Sequence, residues 1–151
     1  MSDLIRHIQL RADREIGPPL VRGHQRVAMV YPSPYRAGMS SLGFQWINLL
    51  LRQAGMHPER IFLPDSPEAW RAATLAPASY ETQTPLNRFP ILAVSLAYEL
   101  EISGLLELLD LAGIPKRRED RGPHDPLILL GGPITMASPL VAAPFVDAML
   151  L

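Results

Sequence analysis

Five short stretches that read as strands alternate with segments whose apolar residues recur at three- and four-residue intervals. Val27–Tyr31 (VAMVY) is an apolar run broken by Pro32 and Pro34, and Glu59–Leu63 (ERIFL) is stopped by Pro64. Ile91–Leu96 (ILAVSL) is apolar throughout, as a parallel strand covered on both faces should be. Leu127–Leu130 and Phe145–Leu151 complete the set. Between the first two runs, Ser40–Ala54 places Leu42, Trp46, Leu49 and Leu50 in one helical row, with Phe44, Ile47, Leu51 and Ala54 nearby. So broad an apolar face predicts packing against a sheet, with Trp46 in the core or at a domain contact and Gly55 as the stop. Ser66 and Pro67 open a second helix that ends by Pro77. Ala78–Phe89 is irregular and polar and reads as a loop, with one short extended piece around Ser79–Thr82. Glu99–Ala112 is a third helix with Glu99, Glu101, Glu107 and Asp110 on its polar side, ended by Gly113 and Pro115. Residues 116–126 form a charged connection, and Pro139–Ala143 is a short fourth helix.

This alternation predicts an α/β fold: a Rossmann-like or flavodoxin-like parallel five-stranded sheet of order 2-1-3-4-5, with helices on both faces. Residues 1–25 stand apart as an N-terminal amphipathic extension. In it Asp3–Arg14 forms a helix carrying Leu4, Ile5, Ile8 and Ala12, and Gly17-Pro18-Pro19 ends it. Residues 26–151 form the domain. The last strand has no polar flank, which predicts an N-terminal piece of a longer protein or a subunit whose partner covers that end.

Composition then narrows the function. The 151 residues are 48% hydrophobic and 19% charged, enough for a buried core and against wholesale disorder. A net charge of −1 removes the general electrostatic case for nucleic acid. The chain has no cysteine, so it supplies no disulfide, thiolate nucleophile or iron–sulfur ligand, and this fits a cytoplasmic location. No run approaches the length of a membrane span. His7, His24, His57 and His124 show no metal-ligand spacing, and no metal site is assigned. There is no Gly-x-Gly-x-x-Gly or Walker loop, and no acidic pair follows the first strand to hold Mg²⁺.

Three loops at one edge carry the candidate site. The first strand ends in Ser33-Pro-Tyr35-Arg36-Ala-Gly38-Met39-Ser40, the third in Ser95-Leu-Ala-Tyr98-Glu99, and the fourth in Gly131-Gly132. In a parallel sheet these carboxyl ends lie side by side, where ligands bind. Glycines there allow close approach to a ligand, although Gly131-Gly132 alone serves a tight turn equally well. Arg36 could meet an anion. Glu99 could instead stabilise a helix N-terminus.

These residues resemble a family. Arg14-Glu15-Ile16-Gly17, Tyr31-Pro32-x-x-Tyr35-x-x-Gly38-Met39-Ser40-x-Leu42-Gly43, Glu59-Arg60-Ile61-Phe62, Tyr98-Glu99-Leu100, Leu108–Pro115 and Gly131-Gly132-Pro133 together resemble the N-terminal, cobalamin-binding-type domain of radical S-adenosylmethionine (SAM) proteins, in a largely uncharacterised subgroup. The resemblance implies a following barrel, in cis or as a separate subunit, that holds a [4Fe–4S] cluster and S-adenosylmethionine. It also implies a cobalamin site made of Ser33, Tyr35, Arg36, Gly38, Met39, Ser40, Ser95, Tyr98, Glu99, Gly131 and Gly132. Here the sequence departs from the family. Where cobalamin domains of the methionine synthase type have Asp-x-His before the glycine, this chain has Ser33-x-Tyr35, so the lower axial imidazole is missing. A phenol with a pKa of about 10 is a poor substitute.

The expectation is an accessory domain with no catalysis of its own, the full-length protein being the radical SAM enzyme. The alternative is a cofactor-free scaffold that shapes the substrate channel or docks a partner. A free-standing enzyme using Glu99 or Tyr35 lacks the paired group that acid/base work needs.

Overall fold

The computed structural model describes residues 2–17 and 23–150. The chain runs α1 (Asp3–Ala12), β1 (Gln25–Tyr31), α2 (Tyr35–Ser40), α3 (Leu42–Gln53), β2 (Met56–Phe62), α4 (Pro67–Ala72), β3 (Ile91–Ser95), α5 (Glu101–Leu111), β4 (Leu127–Gly131), α6 (Ile134–Ala137), α7 (Pro139–Ala142) and β5 (Ala148–Met149). The strands form one all-parallel sheet in the order β2-β1-β3-β4-β5, with helices on both faces. The expected α/β architecture and strand order are therefore present.

Strand alternation sorts the side chains into two faces. On the first, Ala28, Val30, Ile61, Leu92, Val94, Ile128 and Leu130 join Leu105, Leu108 and Leu109 of α5, Ile134 of α6 and Ala142 of α7 in one buried cluster. On the second, Met29, Tyr31 and Phe62 pack with Phe44 and Leu51 of α3 and with Ile8 and Ala12 of α1. This second cover stops at β1. Beyond it Ile91, Ala93, Ser95, Leu129 and Gly131 are half-buried and Leu127 is exposed. Ile91–Leu96 was expected to be covered on both faces, but one helix with α1 beside it is too narrow to reach β3 and β4.

Several local expectations need correction. The loop expected before Ser40 is itself helical over Tyr35–Ser40, and extended Ser41 (φ −81°, ψ 107°) separates it from α3, whose first turn its hydroxyl caps at the Phe44 N–H, 3.3 Å away. The row Leu42–Trp46–Leu49–Leu50 faces outward, with Trp46 59% exposed, while Phe44, Asn48 and Leu51 face the sheet. Trp46 is thus not a core residue. Ser66 makes no side-chain cap, though α4 does end before Pro77, at Ala72. The segment 78–89 is a loop as expected, with one 3-10 turn at Leu86–Arg88, but it does not face solvent throughout: Ala78, Ser79, Tyr80, Leu86 and Phe89 are buried. β2 begins three residues earlier than expected, α5 two residues later, and α6 was not foreseen. β5 shrinks to Ala148–Met149 because Phe145 belongs to a 3-10 turn and Val146 packs into the core. The Pro18-Pro19 break and Leu151 lie outside the described residues.

A buried carboxylate holds the β2 side together. Glu59, fully buried, accepts from Arg26 Nε (2.9 Å), Ser79 Oγ (2.7 Å) and Thr82 Oγ1 (2.5 Å), with His57 Nε2 3.3 Å away. Burial alone would raise its pKa, but Thr82, Ser79 and Arg26 overcome this and hold it below the ordinary glutamate value.

Candidate functional site

The three loops do lie along one edge of the sheet, since Ser95 and Gly131 are register partners at the ends of β3 and β4. Their side chains nevertheless divide into three groups.

The first group fastens the loops to each other. Glu101, at the start of α5, is 4% exposed and accepts from Ser33 Oγ (3.3 Å) and from the Ala97 N–H (2.6 Å). One carboxylate so joins the loop after β1 to the loop after β3. Sequence reading put Glu101 on the solvent side of its helix. Its position at the first turn, where an acid favours the free N–H groups, was the signal available. The glycines serve the same closure. Gly104 of α5 sits where a Cβ would run into the Pro32 carbonyl, and Gly132 (φ +101°) where it would run into that of Leu96. Leu96 in turn donates its N–H to Gly131 O (3.1 Å) and accepts from the Ile134 N–H (3.3 Å).

The second group turns away from β3 and β4. Tyr35 stacks on Tyr80 (4.9 Å between centroids, 15° between planes), meets Phe62 edge-on and donates its hydroxyl to Glu15 Oε1 at 2.7 Å. Burial and the Glu15 carboxylate push its pKa up to about 12. Glu15 also pairs with Arg60 Nη2 (2.7 Å), while Arg60 Nε reaches Glu81 (2.5 Å) and its Nη1 lies 3.2 Å from Met39 Sδ. Gly38 is buried where a Cβ would strike the Phe62 ring and the Tyr31 side chain. Tyr35, Gly38 and Met39 therefore tie α2 to α1 and β2. Ser40 Oγ donates to the Arg36 carbonyl (2.7 Å), and the Arg36 side chain is exposed. Glu15 and Arg60 were not singled out as site residues, though both stand within motifs that carried the resemblance.

The third group opens onto a groove of about 310 Å³ on the uncovered part of the second sheet face. Ser95, Gly131 and Gly132 line it together with Met29, Phe44, Ile47, Leu51, Ala93 and Leu129, and among the described residues no charged one does. Tyr98 and Glu99 stand outside it, exposed, with the Glu99 pKa lowered by a hydrogen bond from Ser138 at the α6–α7 junction. Around them, large apolar side chains point to solvent: Leu100 (79% exposed), Met136 (82%) and Leu140 (84%). Among the described residues no cluster of His, Asp and Glu is arranged to hold a metal ion, and no helix is long and apolar enough to cross a membrane.

No curated protein was found to match the chain. The family model for the N-terminal region of radical SAM proteins matches residues 43–151, which takes in α3 but for Leu42 and everything that follows, the β3 and β4 loops among them. The chain belongs to the family of N-terminal domains of radical SAM proteins.

Proposed function

We propose that this domain is a non-catalytic module that docks on the radical SAM catalytic domain of its own polypeptide and holds no cofactor of its own. The observation that carries the reading is the make-up of the carboxyl edge. Its buried carboxylate, Glu101, is spent on binding two loops together, while Leu100, next to Glu99 in the chain, and Met136 and Leu140, either side of its partner Ser138, stand exposed. Large apolar groups grouped in this way suit a protein surface rather than a polar ligand. On this reading S-adenosylmethionine, the iron–sulfur cluster and the radical chemistry belong to the catalytic domain.

Cobalamin is the second reading, and the apolar groove beside Ser95, Gly131 and Gly132 favours it. The residues present do not fit a corrinoid held through a side-chain axial ligand. Tyr35 stands at the axial position of the motif, and its hydroxyl is committed to Glu15 on the α1 side. Any corrinoid here would be held without a protein ligand to cobalt.

The test is a cobalamin titration of the full-length protein followed by visible absorbance. The docking reading expects no saturable change. A saturable change that Ser95→Phe abolishes would replace it with the corrinoid reading. Ser95 is the position to vary, because any side chain at Gly132 would collide with the Leu96 carbonyl whatever binds.

A further inference from the structure

We infer that the uncovered half of the second sheet face is the seat of an amphipathic helix, carried by the polypeptide that joins β5 to the radical SAM catalytic domain. The inference rests on the docking reading above and names a second contact between the two parts. Parallel strands are stable when both faces are covered, because both rows of side chains are apolar. Here β3 and β4 are closed on one face by α5, α6 and α7, whereas Ala93, Ser95 and Leu129 look into a groove walled on one side by Ile47 and Leu51 of α3.

The groove has the features of a helix seat. Ala93, Ser95 and Gly131 leave a low stretch in its floor, between the larger Met29 on β1 and Ile91 and Leu129, over which a helix can lie against the sheet. Among the described residues none that lines it is charged, so its occupant presents an apolar stripe. Topology supplies the direction. The step from β1 to β2 runs one way along the sheet with α3 on the second face, and the steps from β2 through β5 run the other way with α5 to α7 on the first. One helical place beside α3 is left open. Leu150, just past β5, lines the groove, so a polypeptide continuing from it starts at the groove's rim.

The absence of cysteine from these 151 residues makes the test clean. In the full-length protein, Ala93→Cys and, separately, Leu129→Cys report the groove, with His124→Cys as an exposed control on the charged connection. Maleimide labelling is read by mass spectrometry of the peptide concerned, so cysteines elsewhere do not interfere. Both groove positions should label at least about tenfold more slowly than position 124, since reaction there waits on local opening. A photo-reactive side chain at position 93 should cross-link to the segment just after β5.

Labelling at the control rate at both groove positions in folded protein overturns the inference; with no cobalamin absorbance change, it leaves docking at the carboxyl edge standing. Protection that appears only when cobalamin is added overturns both readings. Protection that depends on protein concentration, with cross-links between two copies, replaces the helix by a second molecule and overturns the inference alone.

Discussion

The two faces of one sheet have been finished differently. On the first face Leu92, Ile128 and Leu130 are wholly buried beneath α5 and its neighbours. On the second, their sequence neighbours Ala93, Leu127 and Leu129 remain partly or largely in water. The strands carry apolar residues on both sides, larger ones on the first. What differs is how many helices the topology delivers to each face, and that number is a property of the connections. A strand can thus be fully formed and still keep half of its side chains for something else.

The largest effect that would sharpen this contrast belongs to Glu59, on the closed face. Glu59→Ala should destabilise the fold by about 3–5 kcal/mol, because Arg26, Ser79 and Thr82 each lose a hydrogen bond to a charged acceptor. Denaturant unfolding measures it, and a loss under 1 kcal/mol, roughly that of an exposed pair, would mean that the cluster contributes little. Next, Leu92→Ala should cost about 2–5 kcal/mol in the same assay. Glu101→Gln weakens the link between the two loops and should cost about 1–3 kcal/mol. Proteolysis of the segment 96–100 should speed up in that variant; unchanged cleavage would show that the loops hold without Glu101.

A smaller, pH-dependent effect is expected at Tyr35. Its folded pKa, about 12, lies above its ordinary 10.0, so its contribution is complete below pH 10 and is lost as pH rises toward 12. Tyr35→Phe should flatten the fall of stability in that window, leaving the part due to Tyr31 and Tyr80, whose pKa values are also raised by burial. An unchanged slope would contradict the assignment. The smallest effect should come from Leu127→Ala on the open face, within about 0.5 kcal/mol in this chain. If it costs as much as Leu92→Ala, the contrast between the faces fails.

The strand centres and their order were legible because apolar runs are punctuated by proline and glycine, and because strand–helix alternation admits few topologies. The helix faces were harder to read. α3 is apolar nearly all round, and periodicity cannot tell the side that meets the sheet (Phe44, Leu51) from the side that meets solvent (Leu42, Trp46, Leu49). Tyr35 was grouped with the ligand loops because its partners, Glu15 and Tyr80, come from distant segments. Glu101 looked solvated because its burial follows from α5 starting at that residue, two positions later than the pattern implied. Ser95 and Gly131-Gly132 were rightly placed together, by strand register alone.

The segment after Pro77 has a consequence for solubility. It lies along the outer side of β2, where the Tyr80 N–H donates to the Arg60 carbonyl (2.9 Å) and the Glu81 carboxylate accepts from the Arg60 N–H (2.6 Å). These contacts occupy backbone groups that a foreign strand would otherwise use to extend the sheet. At the opposite border β5 offers two residues, too short a template for the same purpose. Neither border of the sheet therefore offers another strand a long row of free backbone groups.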